Sequence, residues 1–137
     1  RGAPPDDGDV VRVFTEGHRE GAVHSVETWD ASGQLVGGLY GVSLWGLFAG
    51  ESMFHDPVRG RDASKVALAR LVGELRQRPD GTALLDVQWL TGHLARLGGS
   101  EISRVDYLGR LDVALRAPQT AWSGRRLPGD WRMERTA

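Results

Sequence analysis

The hydrophobic period of this chain changes once, at Asp62, and that change limits the folds open to it. Upstream, "VHSVETW" (residues 23–29) alternates Val23, Ser25, Glu27 and Trp29 against His24, Val26 and Thr28, the period of a strand. "DASG" makes a turn, "QLVGGLYGVSL" a return strand, and a second turn at Trp45-Gly46 brings "LFAG" back as a third, giving an antiparallel meander. Downstream, "ASKVALARLVGELRQR" sets Leu68, Leu71, Val72 and Leu75 on the apolar stripe of a surface helix. Asp62 is its expected N-cap, and Pro79-Asp80-Gly81 its stop. "ALLDVQWL" (83–90) reads as a buried strand. Thr91 caps a short helix, "GHLARL", that ends at Gly98-Gly99, and Ser103 with Asp106 forms a capping-box-like start for "RVDYLGRLDVAL". These elements predict an α+β domain with helices against a mostly antiparallel sheet.

The ends are expected to be irregular. Residues 1–20 begin with a Pro/Asp/Gly segment to Asp9, followed by the short apolar stretch "VVRVF", and residues 117–137 form an arginine-rich tail. A length of 137 residues suits one domain with one core. A net charge of −1 carries no acidic or basic excess that would announce a partner. No apolar run approaches the roughly 20 residues of a membrane span, and "RGAPPDDGD" lacks the segments of a signal peptide, so a soluble protein is expected. With no cysteine, disulfides and thiolate chemistry drop out, which allows a cytoplasmic location. Sixteen arginines against the single Lys65 read as a coding bias rather than a function.

Chemistry is signalled in two places. Asp86 and Gln88 lie two apart, so on a strand they share a face, where their polar groups are costly unless they bond each other or a ligand. A scaffolding pair and a ligand site both fit that pattern. "GESMF" (50–54) puts Glu51 between a glycine and two large apolar residues; read alone it suits a turn with Glu51 in water. Other constellations are missing. His18, His24, His55 and His93 include no pair at helical metal-ligand spacing, so no metal is expected. His24 and Ser25 point to opposite faces and cannot act as base and nucleophile. No phosphate-binding loop and no acetyl-coenzyme A glycine signature occurs, so no cofactor is expected.

Three blocks, "AVHSVETWDASGQLVGGLYGVSLWGLFAGESMFH", "DASKVALARLV" and "LLDVQWLTGHLARLGGSEISRVDYLGRL", follow in order and spacing. Over Gly21 to Leu111 they resemble the leucyl/phenylalanyl-tRNA–protein transferases, bacterial enzymes that move an amino acid from aminoacyl-tRNA to the N-terminal arginine or lysine of a protein. The resemblance implies the C-terminal, acetyltransferase-like (GNAT-type) domain of that family over residues 21–116, binding tRNA in place of coenzyme A. Residues 1–20 would then replace, or remain from, the family's N-terminal domain.

By position, the resemblance implies a catalytic centre of Glu51, Asp86 and Gln88. It implies a donor side-chain pocket of Leu39, Phe48, Gly50, Met53, Leu68, Leu75 and Leu85. Gln88, polarised by Asp86, would orient the acceptor amine, and Glu51 would favour a cationic acceptor. Arg59, Arg61 and Lys65, at a loop entering a helix, are the expected tRNA contacts, with a solvated charge run as the alternative. The expected partners are aminoacyl-tRNA and an acceptor with a basic N-terminus, and the expected state is a monomer. Two other classes stay open: a tRNA-dependent amide ligase acting on a small amine or peptide, and a noncatalytic tRNA-binding remnant.

Overall fold

A computed structural model describes residues 7–78, 80–122 and 132–134. Residues 1–6, Pro79 and most of the arginine-rich tail therefore lie outside the described residues. The elements run α1 (Asp7–Arg19), β1 (Val23–Trp29), β2 (Leu35–Leu44), β3 (Leu47–His55), α2 (Ala63–Arg76), β4 (Leu84–Asp86), α3 (Gly92–Arg96), α4 (Arg104–Arg116) and β5 (Arg132–Glu134). The fold is α+β, with one mixed sheet in the order β4-β3-β2-β1-β5. β1 to β3 form the expected antiparallel meander, β5 pairs antiparallel with β1, and β4 joins β3 in parallel.

The core lies between the sheet and α2. Val26, Leu39 and Phe48 reach it from the strands, and Ala67, Leu68, Leu71 and Leu75 from one stripe of α2. The helix entrance is held by Thr28, fully buried, whose hydroxyl donates to the Ala63 carbonyl at 3.0 Å. Asp62 does not cap α2 as expected. It sits in the left-handed region at φ 66°, makes no side-chain cap bond, and pairs its carboxylate with Lys65 instead. The hydrogen bond from Lys65, and then its charge, hold the carboxyl below the usual aspartate value.

The opposite face carries α1. Phe14 meets Tyr40 edge-on with ring centroids 5.0 Å apart, and Tyr40 follows Leu39 on β2, so alternation puts the two on opposite faces. His18 Nδ1 donates to the Val23 carbonyl at 2.7 Å. The expectation of an irregular segment over residues 1–20 is thus corrected from Asp7 onward: the sheet supplies contacts that outweigh the weak local signal. Likewise, the arginine-rich tail is not irregular throughout, since β5 adds three residues to the sheet beside β1. Among the described residues no helix is long and apolar enough to cross a membrane.

"ALLDVQWL" is not one strand. β4 covers only Leu84–Asp86, is half-buried, and pairs in parallel with Leu47, Phe48 and Ala49 of β3. Its start is tied to α4 through the turn between β2 and β3: Gly46 N donates to the Ala114 carbonyl and Leu84 N to the Gly46 carbonyl, each at 3.0 Å. Thr91 and Ser103 cap α3 and α4 as expected, accepting the Leu94 and Asp106 N–H groups.

Gly41, at the middle of β2, has no room for a side chain. A Cβ there would lie 2.3 Å from the Ala49 carbonyl oxygen and 2.5 Å from the Phe48 ring. Gly41→Ala should therefore lower unfolding stability by about 1–3 kcal/mol. Urea denaturation measures it, and an unchanged midpoint would mean that the sheet absorbs the methyl group freely.

Candidate functional site

"GESMF" lies in β3 rather than in a turn, because β2 supplies ladder partners as far as His55. Tyr40 pairs with Ser52 and Gly41 with Gly50, which leaves Glu51 as the extra residue of a β-bulge. A bulge re-aims the side chain it inserts, and here it presents the exposed Glu51 at the sheet's broken register.

A second break lies across from it. The chain leaves β4 after Asp86 and turns at Gln88, whose φ of 63° is unusual for a side chain larger than Asn. Asp86 and Gln88 therefore do not share a strand face, as the spacing suggested. They meet through the turn: Asp86 Oδ1 accepts the Gln88 backbone N–H at 2.8 Å, while Gln88 Nε2 donates to the Gly50 carbonyl at 2.9 Å. Asp86 thus grips the Gln88 main chain and does not polarise its amide. With its NH2 committed to Gly50, the amide presents Oε1 as an acceptor for another donor. Asp86 Oδ2 accepts a hydrogen bond from the Tyr107 hydroxyl at 2.7 Å. That bond, and then burial, hold the Tyr107 hydroxyl above the usual tyrosine value, so it remains a donor at neutral pH. Sequence reasoning missed Tyr107, and the capping-box spacing that fixed α4 in register was the nearest signal for it.

The bulge and the turn flank a cavity of about 150 Å³. Leu39, Phe48, Gly50, Met53, Leu68 and Leu85 line it together with Glu51. Leu75, expected with them, does not: it is 5% exposed within the core cluster, further along α2. Tyr40, Ser52, Leu71, Val87 and Leu94 complete the wall and were not anticipated. An apolar cavity of roughly this size takes a benzene ring.

The cations divide. Arg61 and Lys65 line a second, polar cleft of about 480 Å³ with His55, Ser64, His93 and Asp62, and Met53 belongs to both cavities. Arg59 is absent from that lining, and its guanidinium donates to Gln34 Oε1 at 3.2 Å. Among the described residues no group of three or more histidine or acidic side chains is arranged to hold a metal ion.

A sequence model described as leucyl/phenylalanyl-tRNA protein transferase matches residues 7–112. The chain belongs to this family. Similar curated proteins carry that transferase name in Rubrobacter xylanophilus (51% identical over 108 residues, 79% of this chain and 54% of that protein) and Caulobacter vibrioides (53% over 109 residues, 80% and 48%). The transferase of Paraburkholderia phytofirmans is 44% identical over 129 residues, covering 94% of this chain and 46% of that protein. The chain thus spans about half the length of the curated relatives it matches.

Met53 separates the two cavities and is only half-buried, so its loss should affect a ligand more than the fold. For Met53→Ala we expect about tenfold weaker binding of phenylalanine ethyl ester by calorimetry, with the thermal midpoint moving by only about 2–4 °C. A midpoint that collapses while affinity holds would make Met53 a core residue instead.

Proposed function

We propose that this chain carries the aminoacyl-transfer centre of a leucyl/phenylalanyl-tRNA–protein transferase, moving Leu or Phe, and by the same apolar fit Met, from aminoacyl-tRNA to an N-terminal Arg or Lys amine. The phenyl-sized apolar cavity between the Glu51 bulge and the Gln88 turn carries this reading. A Met-lined pocket adapts to branched, unbranched and aromatic side chains while disfavouring polar ones.

The chemistry asks for alignment more than for acid or base strength. The donor ester is already activated, and an α-amine of pKa near 8 loses its proton at little cost at neutral pH. Gln88 Oε1 would accept an N–H of the incoming amine and aim its lone pair at the ester carbonyl. The new C–N bond forms, the ester C–O bond breaks, and the departing ribose oxygen takes the proton. Holding the two groups in contact accelerates such a step strongly, as intramolecular reactions do. Neither an amide nor a doubly bonded Asp86 has to act as a base.

The polar cleft suits the phosphodiesters next to the ester. Its Arg61 and Lys65 adjoin the donor pocket through Met53, so we take these two, more than Arg59, as the tRNA contacts. The antiparallel meander packed on α2, with parallel β4 beside it, supports an acetyltransferase-like architecture over residues 21–116. We further take the protein to act as a monomer in the cytoplasm.

The direct test incubates the protein with leucyl- or phenylalanyl-tRNA and peptides bearing N-terminal Arg, Lys or a neutral residue, followed by mass spectrometry. Addition of one Leu or Phe to the basic peptides is expected, and no addition to any acceptor would end the proposal. Glu51→Gln should reduce transfer to basic peptides about tenfold with less effect on neutral ones; solvent exposure keeps this at the low end for a charge-assisted bond. Equal losses on both acceptors would remove Glu51 from acceptor choice. Replacing Arg61 and Lys65 by Ala should flatten the plot of log affinity against log salt by about one to two units, and Arg59→Ala should change it less. An unchanged slope for the pair would return both residues to the solvated surface.

A further inference from the structure

The turn that carries Gln88 is held by three bonds, of which the one from Asp86 grips the Gln88 main chain. β4 ends at Asp86 after three paired residues, and Gln88 then adopts a left-handed conformation that costs about 1–2 kcal/mol for a residue with a Cβ. Its side chain bonds Gly50 and its backbone N–H bonds Asp86 Oδ1, so the direction of the amide depends on the orientation of the Asp86 carboxylate. The last torsion of an aspartate is broad, and a hydrogen bond to each oxygen narrows it further than one bond does. The second oxygen is engaged by Tyr107 at 2.7 Å.

Tyr107 stands on α4, a helix held at both of its ends. It lies one turn into α4, whose start is locked by Ser103, which accepts the Asp106 N–H at 3.1 Å and donates to Asp106 Oδ2 at 2.7 Å. The far end of α4 is tied to the sheet through Ala114, and the helix packs on β3 and β4. The contacts therefore run from α4 through Tyr107 and Asp86 to the Gln88 main chain, and from the Gln88 amide to Gly50 beside the Glu51 bulge.

We propose that Tyr107 is a positioning residue of the aminoacyl-transfer site, orienting the Asp86 carboxylate so that the Gln88 amide is held in its working direction. This rests on the reading of Gln88 as the group that aims the acceptor amine. Asp86 then acts as the link between helix and turn, with its two oxygens divided between them. The phenol suits this task because its proton stays in place: the hydrogen bond to Asp86 and the partial burial both disfavour the phenolate.

Tyr107→Phe removes the hydroxyl and leaves the ring. The expected result is a kcat about tenfold lower with the donor KM within about twofold of wild type, because ground-state binding of the donor does not use Gln88. Hydrogen exchange of the Gln88 backbone N–H, followed by 15N NMR on the 137-residue chain, should accelerate about tenfold, while α4 and core amides exchange as before. A kcat unchanged from wild type, or a loss confined to KM, would overturn the proposal. If the wild-type protein transfers nothing to any acceptor, the transfer reading fails separately and the exchange measurement decides alone. Gln88 exchange unaltered by Tyr107→Phe would then show that the hydroxyl does not hold the turn.

Discussion

The 2.9 Å bond from the Gln88 amide to the Gly50 carbonyl joins the two places where the sheet departs from regularity. On one side β3 takes in an extra residue at Glu51; on the other the chain leaves β4 and turns through a left-handed Gln88. Each departure is unfavourable alone, since the bulge gives up ladder pairing and the turn strains the backbone. Bonded to each other they form the two lips of one cavity, and the rest of the architecture supports that bond. α2 closes the cavity from the core side, and α4 steadies the turn through Tyr107. The function proposed for this chain would depend on irregularities that the regular fold holds in place.

The regular part was legible in the sequence because its signals are local. Alternation located β1, the Trp45-Gly46 turn gave the meander, the 3.6-residue stripe gave α2, and the Thr91 and Ser103 caps fixed α3 and α4. What was missed depends on contacts distant in sequence. α1 carries a weak local signal and is held through Phe14 and His18 by β2 and β1. β4 ends where Asp86 takes the Gln88 N–H and the chain turns through a left-handed Gln88 that is bonded to Gly50. The resemblance to the transferases picked out six of the seven expected pocket residues that do line the cavity. It failed at Leu75, whose place on the α2 stripe looks the same from the sequence whether it faces ligand or core. Asp86 and Gln88 were singled out for a strand geometry they do not have; the polarity that made them conspicuous instead serves a turn.

Pocket and core share side chains, which constrains how donor selection can change. Phe48, Leu68 and Leu71 line the cavity and also belong to the buried cluster or its fully enclosed members, so substitution there costs folding free energy along with fit. Met53, Leu85, Val87 and Leu94 are half-buried and form the outer wall. Variation in the donor side chain is therefore cheaper at this wall than at the base of the pocket. The same division explains why a methionine sits at Met53, where adaptability matters more than tight packing.

Charge is organised on the same stretch of chain. A net charge of −1 gives the molecule no general attraction for nucleic acid, so the anionic donor and cationic acceptor of the proposed reaction would each need a local field. Residues 50–65 provide both: Glu51 at the bulge, and His55, Arg61 and Lys65 around the polar cleft. Glu51 and His55 lie four residues apart on one strand, about 13 Å at roughly 3.3 Å per residue. That exceeds the Debye length of about 8 Å at physiological ionic strength, so the two ends of β3 act as electrically separate sites. Met53 lies midway, at the boundary of both cavities. On the proposed reaction the Glu51–Met53 neighbourhood follows from this arrangement: a carboxylate for one substrate and an apolar wall for the other would adjoin where the two substrates meet.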